Sequence, residues 1–348
     1  MARIFPIWLC SLFLALTFPA SADVARDLYS ASVPVADQSD ASLTGAARQA
    51  LEEVLIKVTG TSDVLNSAAI APVVKEARAH VQQYAYARRG PSGEELQVRF
   101  EFDPAWVNSQ VIEAGIPLWT ANRPGVLLWL VLEDGQGRHF VNSETSPEKV
   151  AQVREAFKRR GVPVQLPLFD LSDSAAISPD DVWRLDETAL RAASSRYGVQ
   201  HIMSGRVVSL ESGNFAGDWS YLALDERMDR ALTVPAFDDF VGAGVALIAD
   251  DMAARYAVAA SAPSDRGVVV WITGVHAYAD YAALVGWLQR LELVDIAMPE
   301  RIVGDRLELR LQTRVSTAQL ATLFELNQSL QPVDATQMGQ TLSYRWEP

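Results

Sequence analysis

The chain holds four imidazoles, His80, His139, His201 and His276. Imidazole is the side chain best suited to metal ligation and to proton transfer near neutral pH. A metal centre needs several ligands converging from helix-turn or hairpin spacings. These four fall in different predicted elements at no such spacing, and His-Glu-x-x-His does not occur. His201 lies in an apolar strand, the setting of a satisfied core histidine. Asp170-Leu171-Ser172-Asp173-Ser174 begins like a calcium loop, but the glycine and distal glutamate of an EF-hand are missing, so it reads as a cap or turn. No metal ligand, no cofactor-binding residue and no catalytic residue is assigned.

Other chemistries fare similarly. Gly242-Ala243-Gly244 falls inside an amphipathic helix rather than between a strand and a helix, so it serves helix packing and not a phosphate. Acyl transfer on an α/β scaffold calls for Gly-x-Ser-x-Gly, which is absent, and Ser204-Gly205 leads into more strand. Asp238-Asp239 and Asp250-Asp251 are neighbours about 100° apart on a helix, which suits a cap pair and a solvated face. Of nine tryptophans, Trp129, Trp271 and Trp287 sit in apolar patterns and read as core. Trp119 and Trp219 stand among more polar neighbours and are the expected ligand surface, where an indole face could stack on a sugar.

The elements that must position these residues fall into three units. Residues 23–121 read as a small α+β domain: a strand at Tyr29 to Val35, a helix capped by Ser42 and ended by Gly60, a helix over Ala68 to Ala79, and two strands, His80 to Arg88 and Leu96 to Phe102. A Gly/Pro cluster at 89–93 turns between those strands, and Asp103-Pro104 opens a further helix. Residues 122–260 begin with Val126 to Leu132, a continuously apolar run that fits a strand buried on both faces. Helices closed by Gly161 and Gly198 alternate with strands at Val162 to Leu166 and Val199 to Leu210. A hairpin partner at Ala216 to Leu224 and a helix at Phe240 to Tyr256 follow. The expectation is a doubly wound, mostly parallel α/β sheet with an antiparallel edge. A linker at 261–266 leads to residues 267–348, whose β-α-β-β-α-β order predicts a ferredoxin-like domain.

The N-terminus carries Arg3, an apolar run from Ile4 to Phe18, and Pro19-Ala20-Ser21-Ala22 before Asp23. That order is a secretory signal peptide, with cleavage expected between Ala22 and Asp23. The run is short of the roughly 20 apolar residues that span a bilayer. Cys10, the single cysteine, lies within it, so the expected periplasmic product of 326 residues has neither lipid anchor nor disulfide. Arg3 is the leader's one charged residue, so the formal charge passes from −13 for the whole chain to −14 for the product. An acidic chain repels phosphate backbones and anionic lipid, which excludes nucleic acid and direct membrane association as expected partners.

Several stretches together resemble a known bacterial family. They are Ala47 to Gly60, Val81-Gln82-Gln83-Tyr84, Pro117-Leu118-Trp119, Arg123 to Leu130, Arg160 to Val164, Ser195-Arg196-Tyr197-Gly198, Gly205-Arg206-Val207 and Gly217-Asp218-Trp219. In this order, over about residues 25–258, the chain resembles the family called domain of unknown function 2066. That resemblance implies an envelope protein and transfers no catalytic residue. The second unit is also similar in layout to the amino-terminal domain of TolB, which implies action by protein contact. The expected function is a non-catalytic periplasmic adaptor that binds envelope proteins. The alternatives are a small-molecule or glycan-binding protein, and a hydrolase built from distant residues such as His139 or His201 with Ser and Asp partners.

Overall fold

The structure is a computed structural model that describes residues 27–89, 95–224, 226–259, 267–327, 329–333 and 342–347. The leader with Ala22 and Asp23, the 90–93 turn and the 261–266 linker lie outside the described residues.

The first unit runs β1 (Ser30–Pro34), α1 (Asp40–Thr59), α2 (Ile70–Lys75), β2 (Val81–Arg89), β3 (Glu95–Phe102) and α3 (Pro104–Glu113). The alternation of β3 buries Val98, Phe100 and Phe102 as the centre of an antiparallel sheet ordered β1-β3-β2. The stripe Leu51, Val54, Leu55 and Val58 of α1 is buried in the same core. Ser39, not Ser42, starts α1: its Oγ accepts from the Ser42 N–H. A cap receives the amide three residues on, so the serine expected to cap is the one being capped. The predicted second helix shortens to α2 and a 3-10 turn at Ala77–His80.

The second unit runs β4 (Val126–Asp134), β5 (Gly137–Phe140), α4 (Pro147–Arg160), β6 (Val164–Gln165), α5 (Leu171–Ala176), α6 (Pro179–Trp183), α7 (Glu187–Ser194), β7 (His201–Ser209), β8 (Phe215–Ala223), β9 (Glu226–Val234) and α8 (Phe237–Tyr256). Val126, Leu128, Leu130 and Leu132 of β4 enter a core with α4 and α8, while Leu127, Trp129 and Val131 enter another with α6 and α7. The apolar run is thus covered on both faces, as its composition demands. The expectation of a mostly parallel sheet is corrected. The order is β5-β4-β7-β8-β9 with β6 also beside β4, and only β4–β6 and β4–β7 are parallel. After β7 the chain takes the expected hairpin to β8 and then a second, unforeseen one to β9 instead of helical crossovers, and hairpins impose antiparallel pairing. β9 carries no clean apolar alternation and has no counterpart in the sequence reading.

The third unit runs β10 (Val268–Thr273), α9 (Tyr278–Leu288), β11 (Val294–Val303), β12 (Arg306–Thr313), α10 (Thr317–Glu325), β13 (Leu330–Pro332) and β14 (Leu342–Trp346). Its order, β11-β12-β10-β14-β13, begins as a ferredoxin-like plait. The ending differs: β14 lies parallel to β10, where the plait requires an antiparallel strand. The unforeseen β13 takes an extra pass at the sheet edge and reverses the direction of the closing strand.

Residues 118–123 tie the units together. The Trp119 N–H donates to Val58 O at 2.7 Å, Leu118 bridges Val258, the Ala121 N–H donates to Glu292 Oε1 at 2.9 Å, and Asn122 Nδ2 donates to Leu323 O at 3.0 Å. Arg123 is fully buried and donates to four carbonyls: Thr120 at 2.8 Å, Gly161 at 2.8 Å, Lys57 at 2.7 Å and Trp119 at 2.6 Å. Its guanidinium lies 3.8 Å from the Trp119 ring centroid. Gly60 and Gly161 end α1 and α4 at φ +79° and +64°, and a Cβ at either would collide, at Gly60 with Trp119 and Ala253 and at Gly161 with Arg123. The first and third units share one apolar core beneath this junction.

Replacing Arg123 with Met strands four buried carbonyls and is expected to cost about 3–5 kcal/mol, because the whole penalty of unpaired buried polar groups is exposed. Urea unfolding checks this; a loss below about 1 kcal/mol would contradict the role of the guanidinium.

Candidate functional site

Alternation along β10 and β12 sorts the third sheet into two faces. Val270, Ile272, Leu307, Leu309 and Leu311 are buried against Leu284 and Leu288 of α9 and Leu320, Leu323 and Phe324 of α10. The opposite face carries Val269, Trp271, Arg306, Glu308 and Arg310. Register extends it onto β11, where Met298 pairs with Arg310, Ile296 with Gln312 and Arg301 with Glu308. Ile296 and Met298 are 44% and 40% exposed. Arg306 reaches over the Trp271 ring with its guanidinium carbon 5.6 Å from the centroid, and Arg310 forms an ion pair with Glu300. The result is a solvent-facing platform on which the charged row of β12 runs down the middle, with Trp271 of β10 on one side of it and Ile296 and Met298 of β11 on the other. Residues of these types dominate the cores of protein interfaces.

Trp271 was expected in the core and lies instead on this outer face. The signal lay in β12, whose Arg306-Leu307-Glu308-Leu309-Arg310-Leu311 alternation declares one wet face; only the pairing of Trp271 with Glu308 assigns the indole to it.

Trp119 and Trp219, expected as a ligand surface, are both buried, at 1% and 0% exposure. Trp219 stacks on Phe240 at 4.7 Å, donates through Nε1 to the Phe240 carbonyl at 2.9 Å, and fits between Gly205 and Gly244. Its polar neighbours Asp218 and Ser220 misled because alternation sends them to the other side of the sheet. Around Trp119 the polar sequence is internal too: Arg123 spends its donors on carbonyls within the junction.

The histidines do not converge. His201 is buried, with Nδ1 2.7 Å from the Tyr221 hydroxyl and Nε2 3.3 Å from that of Tyr256. Burial pulls its pKa down to about 4 and pushes that of Tyr221 up. His139 has Nδ1 3.3 Å from Gly137 O and Nε2 3.9 Å from Asp134, and His80 stacks on Trp106 at 3.9 Å. Neither His139 nor His201 hydrogen-bonds a serine among the described residues. The calcium-like stretch is a cap: Asp170 accepts from the Asp173 N–H and from Arg196, which holds its carboxyl down at about 2. Buried Asp173 accepts from the Tyr197 hydroxyl at 2.6 Å. Among the described residues no group of three or more His, Cys, Asp or Glu is placed to hold a metal ion.

The surface also carries two clefts. One of about 290 Å³ is lined by Tyr29, Phe102, Pro104, Ala121 and the Asp27–Arg99 ion pair. The other, about 370 Å³, lies on β7 and β8 beside Trp183, where Arg206 holds Asp218 at 2.8 Å.

A family model described as Domain of unknown function (DUF8605) matches residues 22–120, the first unit. It differs from the family that the sequence reading named, and agrees with it in carrying a domain of unknown function. No curated protein matches the chain. Among solved structures, one titled as an uncharacterized protein is similar at 10% identity and a TM-score of 0.18, over 38% of this chain and 92% of its own. A Kluyveromyces lactis allophanate hydrolase is similar at 8% identity and a TM-score of 0.18, over 78% and 67%. At these scores neither carries an argument about this chain.

Because His201 is held neutral well below its ordinary 6.5 by burial, the unfolded chain binds more protons between those values. Stability from this site is fully present above about pH 6.5 and is lost as pH falls toward 4, by on the order of 3 kcal/mol. Urea titrations from pH 7 to 4 on wild type and His201→Gln check this. Parallel curves for the two would contradict it.

Proposed function

We propose that this chain is an exported, non-catalytic binding protein of the cell envelope, and that the outer face of the third sheet is where it holds a protein partner. The observation that carries this reading is the outer face on which Trp271 on one side and Ile296 and Met298 on the other flank the charged row Arg306, Glu308 and Arg310. An indole half-covered by a guanidinium can exchange that contact for a partner's surface with little reordering, and fixed aromatic anchors are what interface hot spots are made of. The mixed-sign charges of this face disfavour nucleic acid, as does the acidic whole.

Export rests on residues 1–22, and the family resemblance across about 25–258 supports an envelope setting. Among the described residues no helix is long and apolar enough to cross a membrane. In this reading the junction at Arg123 holds the platform at a fixed orientation to the other two units.

Two outcomes test the proposal. A photo-reactive residue at 298 is expected to cross-link a discrete partner in intact cells, and Trp271→Ser with Arg306→Ser is expected to abolish the band. Arg306 is exposed and Trp271 half-buried on the outer face of the sheet, so circular dichroism on the double variant checks that it remains folded. An unchanged band, or none, would remove the platform from consideration. Fractionation with N-terminal sequencing is expected to find the product in the periplasm beginning at Asp23; a cytoplasmic product retaining Arg3 would refute export.

A further inference from the structure

The sheets of this protein have several edges, and most are blunted. β11 carries Pro299 and two register shifts, β13 ends at Pro332, β1 ends at Pro34, β2 has a shift near Val81, and β5 is four residues long. Proline, bulges and shortness are the usual protections of an edge. β9 has none of these three; its protection is charge of both signs, at Glu226, Arg227, Asp229 and Arg230, which a strand of matching pattern can neutralise. Its nine residues pair with β8 from Glu226↔Ala223 to Val234↔Phe215 without a shift, and among the described residues no strand pairs with its other side.

Ala223 and Glu226 close a two-residue turn, and the closing pair of such a hairpin is hydrogen-bonded. The backbone groups of Glu226, Met228 and Arg230 therefore face β8, while those of Arg227, Asp229 and Ala231 face outward. The side chains of Glu226, Arg227, Asp229 and Arg230 are all exposed.

We propose that two copies of this chain pair antiparallel through β9 about a two-fold axis at Met228, joining their central sheets into one. An isologous contact places residues of the same strand opposite one another. In this register Glu226 faces the partner's Arg230 and Arg227 faces the partner's Asp229, each twice by symmetry, while Met228 meets its own copy. Alternative centres are worse: one at Asp229 opposes two carboxylates, and one at Arg230 opposes two guanidiniums. Arg227 and Asp229 already pair within the strand at 3.0 Å, so the dimer arranges four charges of alternating sign on one face.

The helix above the strand fits the same axis. α8 lies over β8 and β9: Trp219 Nε1 donates to Phe240 O at 2.9 Å, Arg230 Nη1 donates to Ala243 O at 3.2 Å, and Arg255 pairs with Glu226. With strands about 4.8 Å apart, a helix above the β8–β9 seam stands about 5 Å from the axis, so the two α8 helices pack at about 10 Å, near the ordinary packing distance. Ala243, Leu247 and Ala254 follow helical spacing along that side and are half-buried or exposed, and the two alanines permit close approach.

Sedimentation of the exported chain across the micromolar range tests this. The wild type is expected to be a dimer, and Asp229→Arg to weaken dimerisation by roughly tenfold or more. Adding Arg227→Asp to that variant restores complementarity and is expected to restore the dimer. Glu226→Arg, with and without Arg230→Glu, repeats the swap on the other face, and circular dichroism confirms that each variant is folded. A wild-type monomer overturns the proposal, as does a dimer indifferent to both single reversals. Dissociation that neither swap repairs overturns the register.

Discussion

A single buried guanidinium sets the terms for this fold. Among the described residues Arg123 reaches no carboxylate within hydrogen-bonding distance; its partners are the carbonyls of Lys57, Trp119, Thr120 and Gly161. Lys57 and Gly161 belong to the C-terminal ends of α1 and α4, where helices gather partial negative charge. Two helix ends from different units thus converge on one cation. Desolvation pulls the arginine pKa down to about 9, with the buried Glu292 carboxylate opposing the shift, so the group stays charged at neutral pH. The junction requires that Gly60 and Gly161 lack side chains and that Trp119 lie flat beneath the guanidinium.

Other features follow by position. β4 begins three residues after Arg123, so the strand buried on both faces is threaded from the junction into the central sheet. Glu292, between α9 and β11, and Leu323, in the last turn of α10, receive the Ala121 N–H and the Asn122 amide, and this anchors the third sheet with its platform turned outward. β9 stands at the far side of the central sheet from β5. A partner on the platform and a second copy on β9 would occupy different units.

Much of this was legible in the sequence where one physical rule dominates. The glycines at 60, 161 and 198 end helices as expected because only glycine takes the left-handed conformation cheaply there. The run from Val126 to Leu132 could only be a strand covered on both faces. Asp103-Pro104 caps α3, with the Asp103 carboxylate accepting two amides. What failed depended on long-range pairing. The strand β9 after the β7–β8 hairpin, the extra pass at β13 and the side of the sheet on which Trp271 stands are set by register, which local pattern does not encode. Arg123 read as one polar residue near a proline, because its four carbonyl partners are contributed by segments 38 and 66 residues away as well as by its own turn.

If the Arg123 junction locks the units into one body, residues on either side of it must unfold together. Hydrogen exchange followed by mass spectrometry through a urea series measures this directly, comparing peptides from α1, α4 and α9. Loss of protection at one common urea concentration for all three is the predicted result. A third-unit peptide that opens well before α1 and α4 would contradict it.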